Sequence, residues 1–310
     1  MRIFKKAAAS AVAVGLLAFG GVAGSGGSAF AATAQPVTGC SATLGVLALG
    51  LFPNCTAGNS TIANPTSVTI TVNTTSLGSL LNVIPGLGMK ATWTLSCVVD
   101  GNTVNVPGSL TVSSLAASAS TTIDLQSAVG SPNPSSCTVV NLKATTTLAL
   151  TIGALLLPLI TVGANATADT GVPGAVYSNY PSDKNGAHAV VCADDRGNGN
   201  SGSVVQAFAC LSDLADQWIQ MGTGQFVHNG VCLTDTGAAV SLEKCIASPS
   251  NSSGQVWRGS SSGAGELRNA DGNGCLTAPS SGTIDSAALR VAACKGALGQ
   301  AWTIPNVTPV

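Results

Sequence analysis

The groups best suited to chemistry in this 310-residue chain are ten cysteines and a small set of titratable side chains. The cysteines are Cys40, Cys55, Cys97, Cys137, Cys192, Cys210, Cys232, Cys245, Cys275 and Cys294. No two of them form a C-x-x-C pair, and neither histidine joins a ligand cluster, so the spacing does not suit zinc. An even number of cysteines reads instead as disulfides, which persist in an oxidising compartment. Twelve basic and thirteen acidic residues leave a net charge of -1. That balance argues against nucleic acid as a partner, which requires concentrated positive charge.

Acid–base chemistry is nearly excluded from the first half. Between residues 32 and 171 the charged residues are Lys90, Asp100, Asp124, Lys143 and Asp169, with no histidine, glutamate or arginine. No imidazole can relay a proton, and the three aspartates form no obvious pair. A serine nucleophile would lack a partner base. The expectation is a protein without enzymatic activity and without a cofactor or metal.

The elements that must position the remaining groups follow from the order of the chain. "MRIFKK" is basic, "AAASAVAVGLLAFGGVAG" is apolar, and small residues follow up to Gln35. This order predicts a secretory signal peptide over 1–31, with the mature chain starting near Ala32 or Gln35. The remaining length of about 275 residues suits two domains. Turn formers crowd "GANATADTGVPGAVYSNYPSDKNG", and four cysteines precede that stretch while six follow it. The expected domains are 36–170 and 175–310, each closing its own bridges.

The second of these repeats. A short apolar strand with a cysteine, a Gly/Ser-rich loop, a second strand with a cysteine and then a tryptophan occur three times. First cysteines fall at Cys192, Cys232 and Cys275, and the tryptophans are Trp218, Trp257 and Trp302. Asn-Gly pairs at 185–186, 229–230 and 273–274 open the three copies and signal tight hairpin turns. Short strands at this density predict a closed all-β architecture in which the copies pack on one another. Six cysteines allow fifteen pairings. The repeat selects one bridge per copy: Cys192–Cys210, Cys232–Cys245 and Cys275–Cys294.

The triplicate pattern of Cys-Leu, Cys and Gln-x-Trp, with "GQVWRG" and "GQAWTI" as its two good copies, resembles the ricin B-type lectin family. The resemblance covers roughly residues 175–310 and implies a β-trefoil that binds carbohydrate. It implies that Trp218, Trp257 and Trp302 fill a shared core. It also implies where a sugar would sit: a carboxylate two residues after the first cysteine, an amide four before the second, and an aromatic ring two before it. The first copy, lobe 1 of the three, offers Asp194, Gln206 and Phe208 at those places. A carboxylate accepts strong hydrogen bonds from hydroxyls, and a ring faces the apolar side of a pyranose. Lobe 2 offers Thr234, Ser241 and Glu243, with Asp235 one residue late, and lobe 3 offers Thr277, Arg290 and Ala292. Lobe 1 departs from the family in having Asp216 for the glutamine of Gln-x-Trp and Ala215 where an asparagine is common. The same residues also suit a plainer role, with Asp194 and Asp195 capping a loop and Phe208 as half-buried packing.

In the first half, "TSVTITVNTT", "KATWTLSCVVDG" and "LKATTTLALTIG" alternate as half-buried strands do. They predict a β-sandwich, immunoglobulin-like by analogy, with Cys97–Cys137 joining the sheets near Trp93 and Cys40–Cys55 stapling an N-terminal loop. Three apolar segments, 45–53, 80–88 and 152–163, do not fit a plain sandwich. They suit either buried plugs or loops that touch a hydrophobic surface or a protein partner. Two expectations result. One is a secreted, non-catalytic protein whose trefoil binds a saccharide or polysaccharide weakly through lobe 1. The other is a structural or cell-surface protein with a degenerate trefoil and an apolar assembly or attachment domain.

Overall fold

The computed structural model describes residues 34–44, 54–75, 88–112, 118–146, 160–178 and 190–308, except 198, 212, 260–262, 273, 280–285 and 306. The expected signal peptide, the Asn-Gly pair at 185–186, and the apolar runs over 45–53, 80–87 and 152–159 lie outside the described residues. Residues 160–163, the end of the third apolar run, begin a strand. No described helix is long and apolar enough to cross a membrane.

The first half consists of β1 (Gln35–Leu44), β2 (Asn54–Thr56), β3 (Ser60–Ala63), β4 (Pro65–Thr75), β5 (Met89–Val99), β6 (Asn102–Val112), β7 (Ser118–Ile123), α1 (Leu125–Val129), β8 (Ser136–Thr146) and β9 (Ile160–Thr170). One antiparallel sheet has the order β1-β9-β4-β7, and the other β2-β8-β5-β6 with β3 also on β8. Alternation selects the faces, because successive side chains on a strand point to opposite sides. Val68, Ile70 and Val72 of β4 and Val162, Ala164, Ala166 and Ala168 of β9 are buried in one core with Met89, Ala91, Trp93, Leu95 and Cys97 of β5. Trp93 fits because Gly108 lies opposite it on β6: a Cβ there would sit 2.3 Å from the indole.

Two disulfide expectations need correction. Cys97 and Cys137 are bonded, but they are directly opposed partners on β5 and β8 of one sheet and do not join the two sheets. The bridge between sheets is Cys40–Cys55, which links β1 to β2 and so does more than staple a loop. Spacing along the chain reveals which cysteines can meet, but not which sheet each strand enters.

From Gly174 onward the strands pair only among themselves within the described residues. Three hairpins interlock in a ring through backbone hydrogen bonds. Leu242 N donates to Ser203 O (2.8 Å), Val240 N to Leu289 O (3.1 Å), and Leu289 N to Val205 O (2.9 Å). The ends close through mutual bonds between Tyr177 and Thr303, at 3.0 and 2.7 Å. Trp218, Trp257 and Trp302 are buried in the common core, and each indole N–H finds a carbonyl just after a lobe's first cysteine. Trp218 donates to Ala193 O at 2.8 Å, Trp257 to Leu233 O at 3.0 Å and Trp302 to Leu276 O at 2.8 Å. A buried indole needs such a partner, so the repeat of cysteine and tryptophan sets the architecture. The bridges Cys192–Cys210, Cys232–Cys245 and Cys275–Cys294 each stay within one lobe. Asn229-Gly230 makes a two-residue turn with φ of 49° and 83°, the left-handed pair that such a hairpin requires. The third lobe differs: Asn269 N donates to Gly274 O at 2.9 Å ahead of the pairing of Arg268 with Cys275, so the connection is longer, and Asn273 lies outside the described residues.

Two tight turns hold the halves together. Asp100 and Gly101, with φ of 52° and 69°, form the tip of the β5–β6 hairpin. Asp100 Oδ1 accepts from Ser201 N at 2.6 Å, and a Cβ on Gly230 would stand 3.3 Å from Val99 Cα. Glycine at 230 thus allows both the turn and the close approach.

Candidate functional site

The lobe 1 site is built on the hairpin of Val191–Asp195 and Val205–Ala209. Its register pairs Asp194 with Gln206 and Cys192 with Phe208, so all four side chains project from one face. Gln206 Nε2 donates to Asp194 Oδ1 at 2.6 Å, while Phe208 is half-buried beside them. The three residues singled out in the sequence are therefore brought together. They are not wide open: Asp194 is 6% exposed and Gln206 7%, so each offers solvent only an edge. Burial pushes the Asp194 carboxyl up to about 6. The bond from Gln206 opposes that shift, and the carboxylates of Asp216, Asp213 and Asp195 add to it.

The other lobes match this register position for position. Thr234 opposes Ser241 and Cys232 opposes Glu243 in lobe 2; Thr277 opposes Arg290 and Cys275 opposes Ala292 in lobe 3. Asp235 falls on the opposite face from Thr234, where its carboxylate accepts from Gly237 N at 2.9 Å and holds a turn.

The glutamine of Gln-x-Trp works as a bracket. Gln255 Oε1 accepts from Ile246 N (2.9 Å), while its Nε2 donates to Thr234 Oγ1 (3.1 Å) and Lys244 O (2.9 Å). Gln300 repeats this with Lys295 N (2.8 Å), Thr277 Oγ1 (3.0 Å) and Ala293 O (2.9 Å). In lobe 1, Asp216 keeps only the accepting side of this bracket. Its Oδ2 accepts from Leu211 N at 2.8 Å, the equivalent residue after the second cysteine. A carboxylate has no N–H to give, so where the glutamines donate toward Thr234 and Thr277, Asp216 has a carboxylate with an oxygen within 4.8 Å of one of Asp194.

Sequence reasoning missed two features here. Asp213 caps the 3-10 turn Leu214–Asp216, with Oδ1 accepting from Ala215 N at 3.0 Å, and joins the carboxylates of Asp194 and Asp216 within 4.8 Å. Its three-residue spacing from Asp216 was the available signal. His228 was also missed. Its Nε2 lies 3.5 Å from Asp195 Oδ2, its Nδ1 2.9 Å from Gln217 O, and its ring 5.3 Å from that of Trp218. Burial acts to raise Asp195, but hydrogen bonds from His228 and Gly197 outweigh it and hold the group below the ordinary carboxylate range. Asp195 and His228 line a cleft of about 730 Å³ between the halves, with Asn64, Asn133 and Ser135 on the facing wall. Asp194, Gln206 and Phe208 do not line it.

Comparison with known proteins adds one family. The ricin-type beta-trefoil lectin domain model matches residues 184–302. No curated protein matches the chain. Among solved structures it is similar to ThreeFoil, a designed threefold-symmetric protein, at 18% identity over 42% of this chain and 95% of that one, with a TM-score of 0.33. It is similar to the agglutinin from Abrus precatorius at 19% identity, over 44% of this chain and 50% of that one, with a TM-score of 0.34. It is also similar to the β-trefoil lectin of the Vibrio vulnificus hemolysin/cytolysin, solved with N-acetyl-D-lactosamine bound, at 17% identity over 44% and 95% of the two chains, with a TM-score of 0.32. Within this chain, residues 184–302 are a ricin-type β-trefoil lectin domain.

Proposed function

We propose that the chain is a secreted, non-catalytic carbohydrate-binding protein that holds a saccharide weakly through lobe 1. The observation that carries this reading is the contact of Gln206 with Asp194, 2.6 Å long, on the same hairpin face as the Phe208 ring. Neither other lobe has a carboxylate, an amide and a ring at those register positions. The site is shallow. One charge-assisted and one or two neutral hydrogen bonds, at roughly 1–3 kcal/mol each before ordering costs, suit millimolar affinity. On this reading residues 1–31 are a signal peptide, 36–170 a β-sandwich of immunoglobulin-like kind by analogy, and 175–310 the lectin. Five disulfides support an oxidising, extracellular setting.

A glycan array probed with the whole chain tests this. Binding should be lost in Asp194→Ala and kept in Thr234→Ala. Retention in both variants, or loss in both, would remove the single-site reading.

One observation favours the second reading, attachment through the first half. The strand ends Leu44, Asn54, Met89, Val112, Thr146 and Ile160 meet at one end of the two sheets, since Leu44 opposes Ile160 and Met89 opposes both Val112 and Thr146. Asp100, which bonds to the trefoil, is at the other end. The segments 45–53, 76–87 and 147–159 that leave the first end carry no charged residue. Attachment to a hydrophobic surface through that end predicts co-sedimentation of the whole chain with uncharged liposomes. Absence of co-sedimentation in low and high salt alike would dismiss it.

A further inference from the structure

The cleft between the halves is lined by amide groups that the fold leaves without partners. Asn133 is 2% exposed, and its Nδ2 donates to Asn64 O at 2.9 Å and to Pro65 O at 3.0 Å. Its Oδ1 has no partner among the described residues. Asn64 stands beside it with a left-handed φ of 48°, its backbone held by Ser135 O and Gly171 N. The side-chain amide of Asn64, and that of Gln217 on the trefoil wall, also make no hydrogen bond among the described residues. One nearly buried acceptor and two half-buried amides therefore line a single cavity, where water or a ligand can satisfy them.

The same lining restricts what fits. A volume of about 730 Å³ is in the range of small-ligand sites, which favour the junctions between domains. None of the described lining residues is a lysine or arginine, whereas Asp195 and Asp213 are both present, so an anion is repelled. Asp195 is already engaged by Gly197 N at 2.8 Å and His228 Nε2 at 3.5 Å, so it is not held ready for a cation. What remains is neutral: amides that donate and accept, over an apolar floor of Ile219 and Val227. That combination suits a ligand with hydroxyls on its edge and C–H groups on its face.

Position supplies a further observation. The 3-10 turn Leu214–Asp216 borders both the cleft and the lobe 1 face: Asp213, Leu214 and Ala215 line the cleft, and an oxygen of Asp213 lies within 4.8 Å of one of Asp194. Leu214, 84% exposed, stands on that turn and offers an apolar contact. We propose that the cleft is a second saccharide subsite, in which a neutral oligosaccharide anchored at Asp194 crosses the turn at Leu214 and sets its next units against Asn64, Asn133 and Gln217. The inference rests on the lobe 1 reading for its anchor, while the contacts in the cleft are its own. It makes the first half part of the ligand site, because Asn64 and Asn133 come from there.

Residue-resolved NMR of the full chain with xylose, glucose and galactose, and with their β-1,4-linked oligomers of two to four units, tests the proposal. For a sugar that binds, affinity should rise by roughly tenfold from one unit to four, and only the oligomers should shift the side-chain amide signals of Asn64, Asn133 and Gln217. Asn64→Gly removes one amide while glycine suits the left-handed backbone, so the variant should fold and lose about threefold in tetramer affinity. Tetragalacturonate should bind roughly tenfold more weakly than the neutral tetramer. Affinity independent of length, shifts confined to Asp194, Gln206 and Phe208, or full tetramer affinity in Asn64→Gly would overturn the cleft and leave lobe 1 standing. Oligomer shifts at Asn64 and Asn133 that persist in Asp194→Ala would instead sink the lobe 1 anchor and keep the cleft. Cleft shifts with trilysine and with no oligomer, or no response to any sugar, would end the proposal.

Discussion

Replacing Gln255 with alanine probes the lobe architecture at one buried side chain. Gln255 is 2% exposed and bonds to both strands of the lobe 2 hairpin, at Thr234 and Lys244. Its Oε1 accepts from Ile246 N at 2.9 Å and from Gln225 Nε2 at 3.1 Å. Its Nε2 donates to Thr234 Oγ1 and Lys244 O. Truncation leaves Gln225 Nε2 with Ile246 O at 3.2 Å, so that group survives. Ile246 N has no other acceptor among the described residues, and an orphaned N–H costs about 1–3 kcal/mol. The deleted atoms among Gln225, Thr234 and Ile246 leave a cavity that adds about 1 kcal/mol. The expected loss is about 2–4 kcal/mol, or roughly 5–12 °C in Tm. Urea unfolding followed by tryptophan emission is the suitable assay, because Trp218, Trp257 and Trp302 all report the trefoil core. Gln255→Glu keeps the acceptor for Ile246 N but gives up both donors and buries a carboxylate against the Lys244 carbonyl, so it should cost at least as much as alanine. A loss below about 0.5 kcal/mol for Gln255→Ala would refute the bracket as a structural element.

Two further outcomes are expected. Gly108→Ala forces a methyl to within 2.5 Å of the Trp93 ring, and the overpacking should cost about 1–3 kcal/mol in the first half, read by amide hydrogen exchange along β5 and β6. Glu266 accepts from Gly296 N and pairs with Arg268, which together hold its carboxyl below its ordinary value of 4.5. Its NMR titration should show this, and Arg268→Ala should restore the pKa only in part, because the Gly296 bond remains.

Much of the second half was legible because a repeat is redundant. Three copies of cysteine, cysteine and tryptophan constrain the same geometry three times, so one-bridge-per-lobe pairing follows from periodicity, and the resemblance to the ricin B-type lectins adds the tryptophan core. The places of Asp194, Gln206 and Phe208 came from the resemblance to the ricin B-type lectins, and they carried over because the offsets count residues along a single hairpin. Asp216 was harder. In sequence it looks like a damaged Gln-x-Trp; in the structure it keeps the acceptor half of the glutamine's role and has a carboxylate oxygen within 4.8 Å of one of Asp194. Asp213 reaches the same place only because a 3-10 turn folds it back. The first half was legible as strands but not as a topology. Alternation reveals which face of β5 is buried, yet nothing local tells that β8 follows it in the same sheet, which is why Cys97 and Cys137 proved to be neighbours in one sheet. The Asp195–His228 contact likewise joins residues 33 apart through a fold, not a motif.

Lobe 1 as the place where sugar is held is the central claim. Residue-resolved NMR of the intact chain, titrated with a saccharide taken from the array, measures that directly. Shift changes should centre on the amides of Asp194, Gln206 and Phe208. Changes centred instead on 234–243 or 277–292, or none at saturating saccharide, would contradict it.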